Sequence, residues 1–125
     1  MIISRHVTPG LQYVNRGDPA AADFTTGTLT ADGAWHTLDI SAIVPVNAKL
    51  VVLRMRAANS AASRTMRVSK VGNVNAFACA SMTTNVANIA VEQTTIIDCS
   101  GQHIQYWLTS ATWADLGLTV LGWFL

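Results

Sequence analysis

The stretch "DLGLTVLGWFL", Asp115 to Leu125, has apolar side chains at most positions up to the last residue of the chain. Strand alternation assigns the large ones to two faces, Leu118, Val120 and Phe124 to one and Leu121, Trp123 and Leu125 to the other. Both faces are apolar, and leaving one large apolar side chain in water forgoes about 1.5–3 kcal/mol. The strand is therefore predicted either to be central in its own domain, or to place one face against a neighbouring subunit. Gly122 is predicted to mark a bulge or a close approach of another backbone.

Other segments show the same period of two. In "KLVVLRMRA" apolar residues alternate with Arg54 and Arg56, and in "RTMRVSKV" Met66 and Val68 alternate with Arg67. The turn-like "NSAAS" between them predicts an antiparallel pair, in which the three arginines share one outer face.

An all-β fold is predicted, because no segment has a useful helical period and turn signals separate the strand-like segments. The expected architecture is an antiparallel β-sandwich or jelly roll of about seven to eight strands. Residues 1–28 have little periodicity and are predicted to form an extended N-terminal arm, followed by the sandwich domain over 29–125. In "NAFACASM", Phe77 and Cys79 are predicted to point inward.

Charged residues make up only 12% of the chain, against about 25% in a typical soluble domain. So few charges indicate either a membrane protein or a protein with extensive contacts to other protein surfaces. The sequence has no apolar run of about 18 residues that could span a membrane. The start "MIISRHVTPG" lacks the apolar stretch of a secretory signal, so folding in the cytosol is expected. Cys79 and Cys99 are then expected to be thiols, with a disulfide formed after release as the alternative.

The net charge of +1 excludes a bulk attraction to nucleic acid, although the charges are unevenly distributed. The segment between Ile40 and Val91 contains six basic residues and no acidic residue, whereas both flanking segments are net acidic. This pattern suits contact between copies or with an acidic surface, or else the charges are scattered over solvent-exposed faces. No aromatic residue lies between Val44 and Gly72, which disfavours nucleic acid as a partner.

The residue patterns of common catalytic and metal sites are missing. The acidic residues are well spread, no glycine-rich phosphate loop occurs, and His6, His36 and His103 have no acidic or cysteine neighbour at ligand spacing. We therefore expect no enzyme, and no catalytic residue, metal or cofactor. Arg16-Gly17-Asp18 matches an adhesive tripeptide, but turn residues before Pro19 explain it better.

Carbohydrate binding is a stronger candidate function than nucleic-acid binding or adhesion, because β-sandwiches commonly stack exposed aromatic side chains on sugars. Adjacent Tyr106 and Trp107 must point to opposite faces, so only one of them can belong to any platform. Trp107 and Trp113 are the candidate glycan contacts, and burial or an interface is the more common fate of tryptophan.

The stretch "DGAWHTLDISAIVPVNAKLVVLRMRA", residues 32–57, resembles a pattern in virion proteins of tailed bacteriophages, in which a turn, a tryptophan strand and a Val-Pro connector precede an arginine-containing strand. The segments Ile104 to Tyr106 and Val120 to Trp123 resemble the ends of the same proteins. The resemblance extends over residues 32–125 and rests on structural rather than catalytic residues. It implies a small β-sandwich of the kind found at tail-fibre tips and in capsid decoration proteins, commonly as trimers.

The resemblance leads us to expect a homotrimeric capsid decoration, or cement, protein that binds the major capsid protein in the virion after assembly in the host cytoplasm. A fibre normally needs an anchoring domain and a shaft, and here only a short arm precedes the sandwich. The alternatives are a tail-fibre tip that joins a fibre shaft and recognises host-surface glycan, and a baseplate or tail-tube accessory protein. The candidate subunit or capsid contacts are Leu121, Trp123, Leu125, Arg54, Arg56 and Arg67.

Overall fold

The computed structural model describes residues 10–125, and its regular structure there is nine strands and two short 3-10 turns. The strands are β1 Tyr13–Asn15, β2 Phe24–Thr25, β3 Trp35–Asp39, β4 Leu50–Asn59, β5 Thr65–Ser69, β6 Ala80–Thr83, β7 Val91–Asp98, β8 His103–Leu108 and β9 Trp113–Phe124. The 3-10 turns are Ala76–Ala78 and Ser100–Gln102. The prediction of an all-β fold is confirmed. Among the described residues, no helix has the length and apolar character needed to cross a membrane.

The strands form two antiparallel sheets that pack as a β-sandwich. The first sheet has the order β1-β9-β4-β7, with β2 also paired to β9, and the second has the order β3-β8-β5-β6. The core lies between them, and its largest fully buried side chains include Leu53, Met55, Met66, Ile104 and Leu118. The alternation predicted for β4 and β5 is confirmed, since Met55 and Met66 are buried while the arginines lie on the outer faces.

The predicted pairing of β4 with β5 is wrong. β4 lies between β9 and β7 in the first sheet, whereas β5 lies between β8 and β6 in the second. Buried Asn59 fixes the connection between them, because its Nδ2 donates to Thr112 O at 2.9 Å and its Oδ1 accepts from Ala61 N at 3.0 Å. The chain therefore crosses from one sheet to the other after β4 instead of turning back in a hairpin.

This crossing also overturns the predicted common face of the three arginines. Arg54 and Arg56 lie on the outer face of the first sheet, and Arg67 lies on the outer face of the second. The sequence pattern predicted correctly that each points away from the core. It did not identify the sheet to which each belongs, because strand pairing depends on residues far apart in the chain.

The faces predicted for β9 are correct only up to a β-bulge. Leu53 pairs with Val120 and Val52 pairs with Gly122, so Leu121 is an extra residue on β9. A bulge of one residue reverses the alternation beyond it. Trp123 consequently packs against the core, and Phe124 lies on the outer face with its ring centroid 5.2 Å from that of Tyr13. The predicted grouping of Phe124 with Leu118 and Val120 is thus wrong.

Both features predicted for Gly122, a bulge and a close approach of another backbone, are confirmed. Gly122 follows the extra residue of the bulge, and a Cβ atom built on it would lie 2.5 Å from Val14 O and would also overlap the Tyr13 ring. No side chain larger than hydrogen fits there without movement of β1. The approach of β1 to β9 therefore requires glycine at this position.

The described part of the predicted arm, residues 10–28, runs along β9. Tyr13 in β1 pairs with Phe124, and Phe24 in β2 pairs with Leu118. Residues 1–9 of the arm lie outside the described residues. The division into an arm over 1–28 and a sandwich over 29–125 remains a prediction.

Candidate functional site

Acidic side chains neutralise both arginines on the outer face of the first sheet. Arg54 Nη2 donates to Glu92 Oε1 at 2.5 Å, and Arg56 donates to Glu92 through Nη1 and to Asp115 Oδ2 through Nε, the latter at 2.7 Å. Arg56 and Glu92 are direct cross-strand partners, so register alone brings them together. The hydrogen bond from Arg56, with the help of Arg54, holds the pKa of Glu92 below its usual value.

A second ion pair attaches the arm to the first sheet. Arg16 forms a two-pronged pair with Asp23, in which Nη2 donates to Oδ1 at 2.7 Å, and Arg16 Nη1 also donates to Val120 O at 3.1 Å. Asp23 Oδ2 in turn accepts from Val120 N at 2.8 Å. Arg16 is therefore held against β9 by its partners, and Arg16-Gly17-Asp18 is not displayed as one adhesive unit.

The loop between β1 and β2 covers part of this outer face. Thr119 points outward from β9 but is only 7% exposed, and a Cβ atom on Gly117 would lie 3.5 Å from Ala22 Cβ. An open depression of about 380 Å³ remains between residues 17–22, Arg54 and Leu121. Its lining combines small residues with the polar side chains of Asp18, Arg54 and Thr119.

The predicted contacts at the C-terminus are partly covered by the protein's own chain. Trp123 packs against the core, Leu121 lines the depression, and Leu125 exchanges main-chain hydrogen bonds of 3.3 and 2.9 Å with Gln12. β9 is thus central, between β4 and the arm strands. All three side chains remain half-buried, and their role as subunit or capsid contacts stays a prediction.

The outer face of the second sheet has a different character, and one row of residues crosses all four of its strands. Cross-strand partners follow one another from β3 to β6 in the order Trp35, Trp107, Arg67 and Ser81. We call these four residues the tryptophan–arginine row. The Arg67 guanidinium carbon lies 4.6 Å from the centroid of the Trp107 ring, a cation–π contact. Both tryptophans are half-buried.

Hydroxyl groups border the tryptophan–arginine row on one side. Thr65 and Thr83 lie two residues along β5 and β6, and their Oγ1 atoms are 3.0 Å apart. Thr109 lies two residues beyond Trp107, and its Oγ1 accepts from Thr65 N at 2.9 Å. The border is polar and uncharged.

The loop 70–79 borders the row on the other side. Gln105, two residues before Trp107, is 5% exposed because this loop folds over it. Its Nε2 donates to Ser69 Oγ at 3.0 Å and to Asn73 O, and its Oε1 accepts from Gly72 N at 3.3 Å. Hydroxyl groups therefore border the row on one side, and a loop anchored by a buried amide borders it on the other.

Of the two predicted glycan contacts, only Trp107 is at the surface. Trp113 is 5% exposed and its Nε1 donates to Thr109 O at 3.1 Å, so it is a core residue with no ring face free for a sugar. Buried Tyr106 points away from Trp107, as predicted. The outward direction of Trp35 also follows from alternation in "WHTLD", but its position beside Trp107 requires the pairing of β3 with β8.

Exposed apolar side chains are concentrated at the end of the sandwich where β4 begins and β9 ends, which we call the lower end. The short connection 99–102 between β7 and β8 joins the two sheets there, and main-chain bonds run from Cys99 N to Lys49 O at the edge of the first sheet and from Ile40 N to Gln102 O at the edge of the second. The loop 70–79 lies at this end, and Phe77 within it is fully exposed, at 106%. The predicted inward direction of Phe77 is wrong, because residues 76–78 form a 3-10 turn with no buried side chain.

One histidine lies beside an acidic residue, and the two cysteines are free thiols. His36 Nε2 lies 2.8 Å from Asp32 Oδ1, a partner that the sequence did not indicate, and this contact lowers the pKa of Asp32. Both cysteines are unpaired, and burial raises the pKa of the Cys99 thiol to about 11. Within residues 10–125, no three His, Cys, Asp or Glu side chains are grouped so that they could hold a metal ion.

Comparison with known proteins does not assign the chain to a family. No protein-family model matches it, and no curated protein gives a significant match. We therefore infer function from the surfaces described above.

Proposed function

We propose that this protein is a structural component of a tailed-bacteriophage virion. In this proposal it decorates the capsid as a homotrimeric cement protein bound to the major capsid protein. The observation that carries the proposal is the concentration of exposed apolar side chains at the lower end. The bacteriophage setting and the trimer rest on the sequence resemblance.

Nine large apolar side chains are at least 42% exposed among the described residues. Six of the nine lie at the lower end: Leu11, Tyr13, Val46, Val71, Val74 and Phe77. Large exposed apolar patches on a small domain are typical of contact surfaces, because burying each such side chain gains about 1.5–3 kcal/mol. The lower end therefore has the character of a docking surface.

Basic residues at the same end support a protein partner with acidic groups. Lys49 precedes β4 and Lys70 begins the loop 70–79, and neither forms a salt bridge with a described residue. Charges of this kind at the rim of an apolar contact steer association and select the partner. We propose that the lower end faces the capsid shell.

The proposed mechanism is mechanical. Each docked copy buries new area across capsid subunits, and this area opposes the pressure of packaged DNA. An interface of about 1,600 Å² supports affinities from micromolar to picomolar, so area alone does not determine occupancy. A trimer on a symmetric shell adds linked contacts, which raise the effective affinity.

Binding of purified protein to expanded capsids of its own phage tests the proposal. The variant Val74→Ser/Phe77→Ser should lose at least about tenfold in affinity, because it removes two apolar anchors from the docking surface. The matched control is Val86→Ser/Ile89→Ser, in which two exposed apolar side chains at the opposite end are changed. The control should bind normally.

Two results would contradict the proposal. The first is failure of the unaltered protein to bind capsids, and the second is an equal loss in the two double variants. The mass of the protein in solution tests the trimer separately. A monomer at micromolar concentration would remove the trimer from the proposal.

A tail-fibre tip that recognises host-surface glycan is the second candidate, and the half-exposed Trp107 on the open face of the second sheet favours it. Immunogold labelling of intact virions distinguishes the two candidates directly. Label over the head supports decoration, and label at the ends of tail fibres supports receptor binding. The position of the gene beside the major capsid gene or beside tail genes is an independent indication.

A further inference from the structure

We propose that the tryptophan–arginine row binds an acidic saccharide, with the sugar carboxylate on Arg67 and an apolar sugar face on Trp35. This inference deepens the second candidate function by naming the chemistry of its ligand. It depends on the geometry of the row and not on where the protein lies in the virion.

Arg67 is held in place and has no acidic partner among residues 10–125. Its guanidinium stacks on Trp107, yet it forms no salt bridge with any described residue, and its Nε is buried without a hydrogen-bond partner. A stacked guanidinium has already lost much of its conformational freedom, so binding a carboxylate costs little further entropy. Arginine binds carboxylates through two parallel hydrogen bonds, which favours this anion over a neutral group.

The surroundings of Arg67 suit a sugar ring. Trp35 supplies a second indole in the same row, and the C–H faces of a pyranose pack on the electron-rich face of an indole. Ser81 continues the row, and Thr65 and Thr83 border it, so hydroxyl groups lie where sugar hydroxyls need partners. Small-molecule sites combine apolar walls with a few placed polar groups in this way.

The length and charge of the row agree with this ligand. The row crosses four strands, and three strand spacings give it a length of about 14 Å, enough for a short oligosaccharide. The only acidic residue in the strands of the second sheet is Asp39, four positions along β3 from Trp35. Its carboxylate already accepts a hydrogen bond of 2.8 Å from Ser41 N. A negatively charged ligand therefore meets no like charge in the row.

Titration of the full chain with defined probes tests the inference. We expect 3′-sialyllactose or trigalacturonic acid to bind and to shift the indole N–H resonances of Trp35 and Trp107. Lactose, the neutral counterpart of sialyllactose, should bind at least about tenfold more weakly, because the charged hydrogen bonds are missing. Affinity for the acidic sugars should fall as salt is added.

Variants locate the binding to the row. Arg67→Gln should weaken binding at least about tenfold, and Arg67→Lys, which keeps the charge but loses the planar fork, about threefold. Trp35→Ala should cost about fivefold through lost stacking. Lys49→Gln is the matched control, since it removes one positive charge at the lower end and should bind as the unaltered protein does. Thermal unfolding confirms that each variant is folded.

Three outcomes would overturn the inference. They are equal binding of lactose and sialyllactose, equal losses in Arg67→Gln and Lys49→Gln, and binding of a polyglutamate peptide without binding of either acidic sugar. The last result would assign the row to an acidic protein partner. Because none of these measurements uses capsids, failure here leaves the capsid-binding test unaffected, and the reverse also holds.

Discussion

The outer faces of the two sheets both carry arginines, but they use them differently. On the first sheet, Arg56 lies opposite Glu92 in the adjacent strand, so register alone produces an ion pair. On the second sheet, Arg67 lies opposite Trp107 and Ser81, so it stacks on an indole and has no described acidic partner. The first face is neutralised and partly covered by the arm, whereas the second is open. The residue type alone therefore does not decide whether an arginine is structural or available to a ligand.

The largest effect on this contrast is expected from Gly122→Ala, which should open the covered face. The new Cβ overlaps Val14 O and the Tyr13 ring, so β1 must move, at a cost of about 3 kcal/mol in the free energy of unfolding. Urea unfolding measures this loss. Gly27→Ala is the control, because its Cβ would meet only Thr25 Oγ1 at 3.8 Å. Equal stability of the two variants would contradict the close approach of β1 to β9.

Asp23→Ala should also detach the arm from β9, and it should lower the free energy of unfolding by about 2 kcal/mol. The side chain is 11% exposed and accepts hydrogen bonds from Arg16 and Val120 N, so its removal breaks the ion pair and leaves the Val120 amide without this acceptor. Hydrogen exchange at the Val120 amide should accelerate. Asp18→Ala, in the same loop but without a described hydrogen-bond partner, should change neither property. Unchanged Val120 exchange in Asp23→Ala would show that the pair does not attach the arm.

Gln105→Leu should loosen the loop 70–79 beside the open face and lower the free energy of unfolding by about 1 kcal/mol. The change removes the hydrogen bonds of Gln105 with Ser69, Gly72 and Asn73, which hold the loop 70–79 over the second sheet. Trypsin should then cleave after Lys70 faster than in the unaltered protein. Gln93→Leu is the control, because the Gln93 amide makes only a 3.7 Å contact with the Met55 sulfur. If both variants are cleaved at the same rate, Gln105 does not anchor the loop.

The smallest effect is expected from Glu92→Gln on the neutralised face, because the Glu92 side chain is 40% exposed and water screens the pair. The pKa of folded Glu92 lies below its usual value of 4.5, so the folded state holds this proton less tightly than the unfolded state. Its stabilising contribution is therefore present above pH 4.5 and is lost as the pH falls through the folded pKa. The variant should show a flatter decline in acid, measured by thermal unfolding at several pH values. If the variant loses stability in acid as steeply as the unaltered protein does, the Glu92 ion pairs do not contribute to the pH dependence of stability.

Local patterns predicted much of the fold. The alternation in "KLVVLRMRA" and "RTMRVSKV" assigned buried and outer residues correctly, and Gly122 was correctly associated with a bulge. The faces of Trp123 and Phe124 were wrong, because one extra residue at Leu121 reverses the alternation beyond it. A bulge depends on the partner strand, so the sequence of β9 alone contains only the glycine as a signal.

The candidate sugar site was predicted in part. The outward direction of Trp107 followed from its neighbour Tyr106, whereas its contact with Arg67 required the pairing of β5 with β8. Phe77 was assigned inward because "NAFACASM" has an apolar strand-like composition, but a 3-10 turn precedes β6. Apolar composition predicts burial on average and does not identify the apolar side chain left outside.

The sequence by itself determined the all-β character, the side chains that point away from the core in each strand, and the lack of acidic residues in most of the second sheet. Only the tertiary structure decided that β4 and β5 belong to different sheets, and thus that Glu92 neutralises Arg56 while Trp107 supports Arg67. The physical reason is the separation along the chain over which each effect acts. Alternation follows from backbone geometry within a few residues, whereas a cross-strand neighbour is selected by packing among residues that are distant in the chain.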